Sequence, residues 1–142
     1  MFQVVYISRS TRDFDEQSLR ELANAAAVNN SSSGITGALL FVSGRFIQVL
    51  EGSEDVVRSL LNDISKDKRH RNMKIILEEN EKERDFPKWS MGFVKTGFPG
   101  DEEISLIIEN SNPLRSRDEA LTCAHSTLAF IRKIYHSNEN MI

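Results

Sequence analysis

The stretch ITGALLFVSGRFIQVLEG, residues 35–52, contains two apolar runs, Ile35 to Val42 and Arg45 to Leu50. Ser43 and Gly44 separate the runs, and two residues of this kind fit the tight turn of a β-hairpin. A glycine inside an apolar run, here Gly37, is typical of a place where another backbone or a ligand approaches closely. The stretch therefore predicts a buried antiparallel hairpin.

A helix is predicted on each side of this hairpin. Asp13 with Glu16, or Asp15 alone, can cap a first helix that runs from Asp13 to Asn30, and Ser53 can cap a second. Apolar residues recur at helical spacing in both segments, as Leu19, Leu22, Ala23 and Ala26 before the hairpin and as Val57, Leu60, Leu61 and Ile64 after it.

Three further strands are predicted outside the hairpin. Phe2 to Ser8 is apolar on both faces, which favours a central, buried strand. Met73 to Leu77 follows a polar, basic loop from Lys66 to Asn72, and Trp89 to Val94 forms the last strand. The order β-α-β-β-α-β-β predicts an α+β, ferredoxin-like sheet.

The tail from Gly100 predicts two more helices. The first is short, begins after the acidic residues 101–103 and ends before Pro113. Ser116 and Glu119 have the spacing of a capping box before a longer helix. The apolar face of that longer helix consists of Leu121, Ala124, Leu128, Ile131 and Tyr135.

Composition excludes several classes of protein. A chain of 142 residues with 39% hydrophobic residues predicts one domain with its own core. No apolar run is long enough to span a membrane, and a net charge of −3 argues against nucleic-acid binding. The only cysteine, Cys123, excludes an internal disulfide and predicts a buried helix residue in a reducing cytosol. The three histidines lack metal-ligand spacing, and no phosphate-binding glycine loop is present.

Three polar residues lie where apolar residues are expected. Gln48 shares a strand face with Phe46 and Leu50, Tyr6 lies on an apolar strand face, and Asn30 closes the first helix. Each has an ordinary explanation as a hydrogen-bonded residue of the core or of a helix end, because buried amides and phenols need partners. Taken together, they predict a ligand pocket.

Six separate motifs occur in order between Val4 and Val94. They are Tyr6-x-Ser8, Asn29-Asn30, Gly34-Ile35-Thr36-Gly37, Phe46-x-Gln48-x-Leu50-Glu51-Gly52, Asp67-x-Arg69-His70 and Trp89-Ser90-Met91. This series closely resembles the BLUF family, which are blue-light sensors that use a flavin, normally FAD. The agreement of six motifs in type and order makes the resemblance specific.

The resemblance implies a role for each candidate site residue. Tyr6 lies beside the flavin as electron and proton donor in the excited state, Gln48 bridges Tyr6 to the flavin edge, and Asn30 holds a flavin carbonyl. The other implied pocket residues are Ser8 and Asn29 in the wall, Leu22 and Ile64 on the two ring faces, and Arg69 and His70 at the ribityl and phosphate end. Trp89 and Met91 lie on the last strand as signal-relay residues, and the sequence does not decide which of them faces the flavin.

The resemblance also implies the organisation and output of the protein. Residues 1–97 form the photosensor domain, and residues 98–142 form a helical extension that packs on the sheet or at an oligomer interface. We expect FAD as the cofactor, with FMN as an alternative, and no enzymatic activity. We also expect a cytoplasmic homo-oligomer without nucleic-acid or membrane contacts. Only about 48 residues follow Val94, so we expect the signal to pass to a separate, unknown partner protein.

Three other functions stay open on the residues alone. They are a light-insensitive flavin or nucleotide-binding module, an acyl-phosphate hydrolase of similar fold, and an interaction adaptor in which the three polar residues are structural. The colour of the purified protein separates the first from the other two.

Overall fold

The computed structural model describes residues 1–42, 44–94 and 116–139 of the chain. Its helices and strands are β1 (Phe2–Ser10), α1 (Glu16–Ser33), β2 (Thr36–Val42), β3 (Arg45–Gly52), α2 (Glu54–Ser65), β4 (His70–Asn80), β5 (Gly92–Val94) and α3 (Arg117–Glu139). The five strands form one sheet in the order β4-β1-β3-β2-β5. The predicted α+β, ferredoxin-like arrangement is therefore confirmed.

The sheet is antiparallel except at one edge. β1 pairs with β3 and β4, and β2 pairs with β3, all antiparallel, whereas β5 runs parallel to β2. β1 thus lies inside the sheet, as its two apolar faces predict. The hairpin pairs Val42 with Arg45. Close backbone approach at Gly37 is confirmed, because a Cβ there would lie 1.9 Å from the carbonyl oxygen of Val49.

Alternation along the strands divides the core between the two faces of the sheet. Val4 and Tyr6 of β1 pack beneath α1 and α2, whereas Val5 and Ile7 pack on the opposite face. That opposite face is covered by α3, whose predicted apolar residues are buried or packed against it. The cap of α3 is also present, because the Glu119 amide donates to Ser116 Oγ at 3.1 Å.

The ends of α1 differ from the prediction. Asp15 and Ser18 form a reciprocal capping box, so the helix begins at Glu16 and the alternative cap at Asp13 is wrong. The helix continues one turn beyond Asn30, and its end is marked by Gly34 in the left-handed conformation. Serine hydroxyls of this last turn bond back to backbone carbonyls, which satisfies them inside the helix.

Two strand boundaries also differ. β4 begins at His70 and not at Met73, because β1 extends to Ser10 and pairs with His70. Asn72, at φ 56°, lies where the β1–β4 register shifts, so a bulge allows pairing through the polar stretch. β5 begins only at Gly92, so the predicted strand start at Trp89 is wrong. Ser53 stands at the start of α2 but makes no side-chain cap hydrogen bond.

Part of the predicted tail lies outside the described residues. This applies to the short helix after residues 101–103 and to the boundary between residues 97 and 98. In the part of the chain that the structure describes, no helix combines the length and apolar character needed to cross a membrane.

Candidate ligand-binding site

A cavity of about 260 Å³ lies between α1 and α2, above β1 and β3. This volume is close to the lower end of the range for small-molecule pockets. The structure brings eight of the nine predicted pocket residues together in its lining: Tyr6, Leu22, Asn29, Asn30, Gln48, Ile64, Arg69 and His70.

Regular secondary structure explains why these residues meet. Residues four apart on a helix share a face. Leu22 and Ala26 therefore line the cavity from α1, and Leu60 and Ile64 line it from α2. Tyr6 and Gln48 are direct cross-strand partners in the β1–β3 register. The cavity therefore has apolar helical walls and a polar floor.

A hydrogen-bonded chain runs along this floor. The Tyr6 hydroxyl donates to Oε1 of Gln48, and Nε2 of Gln48 donates to the sulfur of Met91 at 3.3 Å. Tyr6 is 4% exposed and Gln48 is 6% exposed. Because both ends of the Gln48 amide have a partner, its orientation is defined by its neighbours.

Asn30 provides a second amide at the cavity. Its Nδ2 donates to the Ser90 carbonyl at 2.9 Å, from the last turn of α1. The neighbouring Trp89 carbonyl accepts from the Gly37 amide at 2.9 Å. Because the Asn30 side chain bonds to the Ser90 carbonyl, regular pairing of β5 with β2 starts only at Gly92. This explains why β5 is shorter than predicted.

Met91 and Trp89 point to opposite sides of the sheet. Met91 packs in the core that contains Tyr6, whereas Trp89 packs against the core beneath α3. The Trp89 ring makes an edge contact with Tyr135, with centroids 4.8 Å apart. A Cβ on Gly92 would lie 2.3 Å from this indole, so only glycine leaves room for it. Met91 therefore lies on the cavity side of the sheet, where it contacts Gln48, but it is not among the residues that line the cavity.

An ion pair lies on the rim of the cavity. Arg69 Nη2 and Asp67 Oδ2 are 2.5 Å apart, and Arg69 Nε lies 3.0 Å from Asp67 Oδ1. These side-chain hydrogen bonds lower the pKa of the Asp67 carboxyl to about 2. Nearby, His70 Nε2 donates to the Ile64 carbonyl at 2.6 Å and closes the end of α2 onto β4.

Burial defines the chemical state of the phenol. Burial raises the pKa of the Tyr6 hydroxyl above its ordinary value, and the negative charge of Asp67 raises it further. Tyr6 is therefore a neutral phenol at physiological pH and can act as a hydrogen-bond donor.

Ser8 is the predicted pocket residue that the structure does not bring to the cavity. It is 2% exposed, and its Oγ has no hydrogen-bond partner among the described residues. Its cross-strand partner Phe46 and the ring of His70, with centroids 6.4 Å apart, line this end of the cavity instead.

Sequence reasoning missed seven lining residues: Ala25, Ala26, Leu39, Phe46, Leu60, Asp63 and Asp67. Helical spacing from Leu22 and Ile64 was the available signal for Ala26 and Leu60. Asp67 belongs to a quoted motif, but its ion pair is visible only in three dimensions. Among the described residues, no group of three or more acidic, histidine or cysteine side chains is placed to hold a metal ion.

Comparisons with known proteins identify the same part of the chain. The family model described as "BLUF: Sensors of blue-light using FAD" matches residues 1–92. The chain is 40% identical to photoactivated adenylate cyclase subunit alpha of Euglena gracilis over 73 residues, a stretch that covers 51% of this chain. It is 33% identical over 88 residues to the blue light- and temperature-regulated antirepressor BluF of Escherichia coli (strain K12), which covers 62% of this chain.

The extent of the match differs between these relatives and solved structures. The chain spans only 7% of the length of the cyclase subunit and 22% of BluF. By contrast, the dark-state structure of BlrB, a BLUF protein, matches 90% of this chain and 95% of its own. That match has a TM-score of 0.67 at 28% identity.

Proposed function

Because the chain belongs to the BLUF family of blue-light sensors using FAD, we propose that it is a photoswitch operated by Tyr6 and Gln48. One observation carries the proposal. The buried hydrogen-bonded chain from Tyr6 through Gln48 to Met91 forms the floor of a cavity with apolar walls. Such a chain can exist in two arrangements, because an amide is both donor and acceptor.

The cavity suits a flat ring with polar edges. Leu22 on α1 and Ile64 on α2 would contact the two ring faces, and Asn30 would bond to the polar edge. Arg69 and His70 lie on the rim, where the ribityl and phosphate end would leave. When bound, the flavin supplies blue-light absorption and an excited state that accepts an electron.

The residues of the chain would complete the cycle. Tyr6 gives up one electron and its phenolic proton and recovers both, so no net oxidation remains. In the interval the Gln48 amide turns round or tautomerises and presents a donor where it had an acceptor. If the amide turns round, its oxygen faces the Met91 sulfur and the contact is lost, because a thioether cannot donate a hydrogen bond.

The output would be a change of contact with another protein. Light would shift the population between two hydrogen-bond states, and a partner with unequal affinity for them would detect the change. Residues 85–91 and α3 are suited to this, because Met91 accepts a hydrogen bond from Gln48 while Trp89 contacts Tyr135 of α3. We propose no catalytic activity for this domain. We also propose a cytoplasmic location, which the buried free thiol of Cys123 supports, and a homo-oligomer whose photosensor domain ends near residue 97.

The decisive test is the visible absorption of the purified protein in the dark and after blue light. We expect a flavin spectrum that shifts to longer wavelength on illumination and returns in the dark. A static flavin spectrum would leave a flavin-binding module without a switch. A colourless protein that cannot be reconstituted with FAD would contradict the proposal altogether.

Two substitutions assign the switch to its residues. Tyr6→Phe and Gln48→Leu should each abolish the light-induced shift while the protein still binds flavin. Gln17→Leu is the matched control, because Gln17 is exposed on α1, does not line the cavity and should leave the full shift. A full shift in either of the first two variants would rule out the mechanism.

A further inference from the structure

Glu51 is a fully buried acidic residue outside the cavity, with 0% exposure. Its two carboxylate oxygens accept four hydrogen bonds. The donors are Gln3 Nε2 at 3.1 Å, Thr36 Oγ1 at 3.0 Å, the Asp85 amide at 2.7 Å and the Phe86 amide at 3.0 Å. Four donors around one group suit an acceptor-only carboxylate.

Two of these donors belong to the segment that ends at the cavity, residues 85–91. Glu51 holds its first two residues through their backbone amides. Each of its last three residues accepts one hydrogen bond. The Trp89 carbonyl accepts from the Gly37 amide, the Ser90 carbonyl from the Asn30 side chain, and the Met91 sulfur from the Gln48 side chain. Between the two ends, the Trp89 amide donates to the Phe86 carbonyl at 3.1 Å and closes a turn.

The segment connects the two faces of the sheet. Glu51 pairs across the sheet with Gln3 and Thr36, and alternation along β3 places it on the face that α3 covers, opposite to Gln48. A carboxylate on one face thus fixes the start of a segment whose end contacts two amides on the other face.

We propose that Glu51 is a positioning residue for the photosensory amides, acting through residues 85–91 on Gln48 and Asn30. The inference rests on the proposed function for its meaning. The side-chain positions of Gln48 and Asn30 would thus depend on the hydrogen bonds that Glu51 accepts. Glu51 itself does not line the cavity.

Glutamine cannot replace the carboxylate at this position. Gln3 and Thr36 can turn to accept a hydrogen bond, and Oε1 of Gln3 has no partner among the described residues. The backbone amides of Asp85 and Phe86 can only donate. An amide at position 51 would therefore oppose its own N–H groups to one of them in either orientation.

A second contact should keep the Glu51→Gln variant folded. Asp85 Oδ2 accepts from Arg132 Nη2 of α3 at 2.8 Å, and this contact does not depend on the orientation of Gln3. The segment would then stay near the sheet but lose its exact position. This is the condition under which a positioning effect can be measured.

The test compares nitrogen-15 NMR spectra of the full-length protein, purified with its flavin and kept in the dark. We expect Glu51→Gln to shift the side-chain amide signals of Gln48 and Asn30. Hydrogen exchange at the Gly37 amide should accelerate about fivefold, the equivalent of about 1 kcal/mol for one hydrogen bond. Glu83→Gln is the matched control, because Glu83 is exposed and its substitution removes the same charge close to the segment.

The outcomes separate a positioning role from a merely structural one. The proposal is overturned if the Asp85 and Phe86 amides shift in Glu51→Gln while the Gln48 and Asn30 side chains do not. If this variant fails to fold, Thr36→Val removes one donor to Glu51, together with the contact of Thr36 with Arg84, and keeps the carboxylate. It should move the same signals less, and unmoved signals there would also overturn the proposal.

The same experiment is independent of the photoswitch. A wild-type protein without a light-dependent spectrum would refute the proposed function. The NMR comparison needs no light reaction and would still decide whether Glu51 positions the two amides.

Discussion

The two faces of the sheet use the same strands for different purposes. Beneath α1 and α2, β1 and β3 present Tyr6 and Gln48 to a cavity. Beneath α3, the same strands present Val5, Ile7 and Val49 to a closed apolar core. The same two strands therefore line a cavity on one face and a closed core on the other.

Stability and function therefore depend on different faces of the sheet. The core under α3 contains buried side chains in contact with one another, so its loss would cost stability directly. The face under α1 and α2 leaves a cavity and half-buried helix residues, so its side chains contribute less to folding. Residues 85–91 belong to both faces, and communication between the faces depends on that segment.

The largest effect on stability should come from the face under α3. Leu128 is 1% exposed, and Leu128→Ala should cost about 2–5 kcal/mol of the free energy of unfolding. Leu22→Ala on the cavity face is the matched control and should cost clearly less, because Leu22 is only partly buried. Urea unfolding of both flavin-free variants measures the difference. Equal losses would contradict the division between a closed core and an open cavity.

The next largest effect should be on flavin binding. Ala26 lines the cavity from α1, and Ala26→Trp would fill space that the ring needs. Overpacking of about 1.4–2.8 kcal/mol corresponds to about 10- to 100-fold weaker binding of FAD. Asn24→Trp is the control, since Asn24 is exposed on the same helix and does not line the cavity. Titration of the flavin-free protein with FAD gives both affinities, and an unchanged affinity in Ala26→Trp would place the flavin elsewhere.

Periodicity predicted the fold because the strongest signals are local. The apolar hairpin at residues 35–52, the stripes of both helices and the two apolar faces of β1 all predict the correct element. Errors occurred where tertiary contacts decide. Asn30 takes the Ser90 carbonyl and shortens β5, whereas pairing of His70 with Ser10 lengthens β4.

The site was predicted less completely than the fold. Motif resemblance identified eight cavity residues, because the motifs name side chains that strand and helix geometry then bring together. Ser8 lies outside the cavity lining, since alternation gives its face of the strand but not the position of the cavity along it. Glu51 lay in a quoted motif, but its importance depends on partners distant in sequence, such as Asp85. Asp67 pairs with Arg69 of its own motif, but their spacing does not show that the pair lies on the rim of a cavity.

A smaller effect should separate the two possible roles of Ser8. Its hydroxyl is buried without a partner among the described residues, and such a group costs stability. Ser8→Ala should therefore leave the free energy of unfolding unchanged or raise it by up to about 1 kcal/mol, with unchanged FAD affinity. Weaker FAD binding in this variant would instead show that Ser8 contacts the flavin, as the motif resemblance implies.

The smallest effect should come from the rim of the cavity and depend on pH. The Asp67 carboxyl has a pKa of about 2 in the folded protein against an ordinary value of 3.8, because Arg69 bonds to its charged form. The stabilisation is thus fully present above about pH 4 and is lost as the pH falls towards 2. Wild-type protein should exceed Asp67→Asn in unfolding free energy at pH 6, by less than about 1 kcal/mol for a partly exposed pair.

This difference should shrink as the solution is made more acidic. Urea unfolding at pH 6, 4 and 3 measures it, with Asp63→Asn as an exposed control on the same rim. A wild-type advantage that stays constant down to pH 3 would show that Asp67 stabilises the rim through packing and not through its charge. The contrast between the faces would then be weaker, because the rim of the cavity would also stabilise the fold by packing, as the core under α3 does.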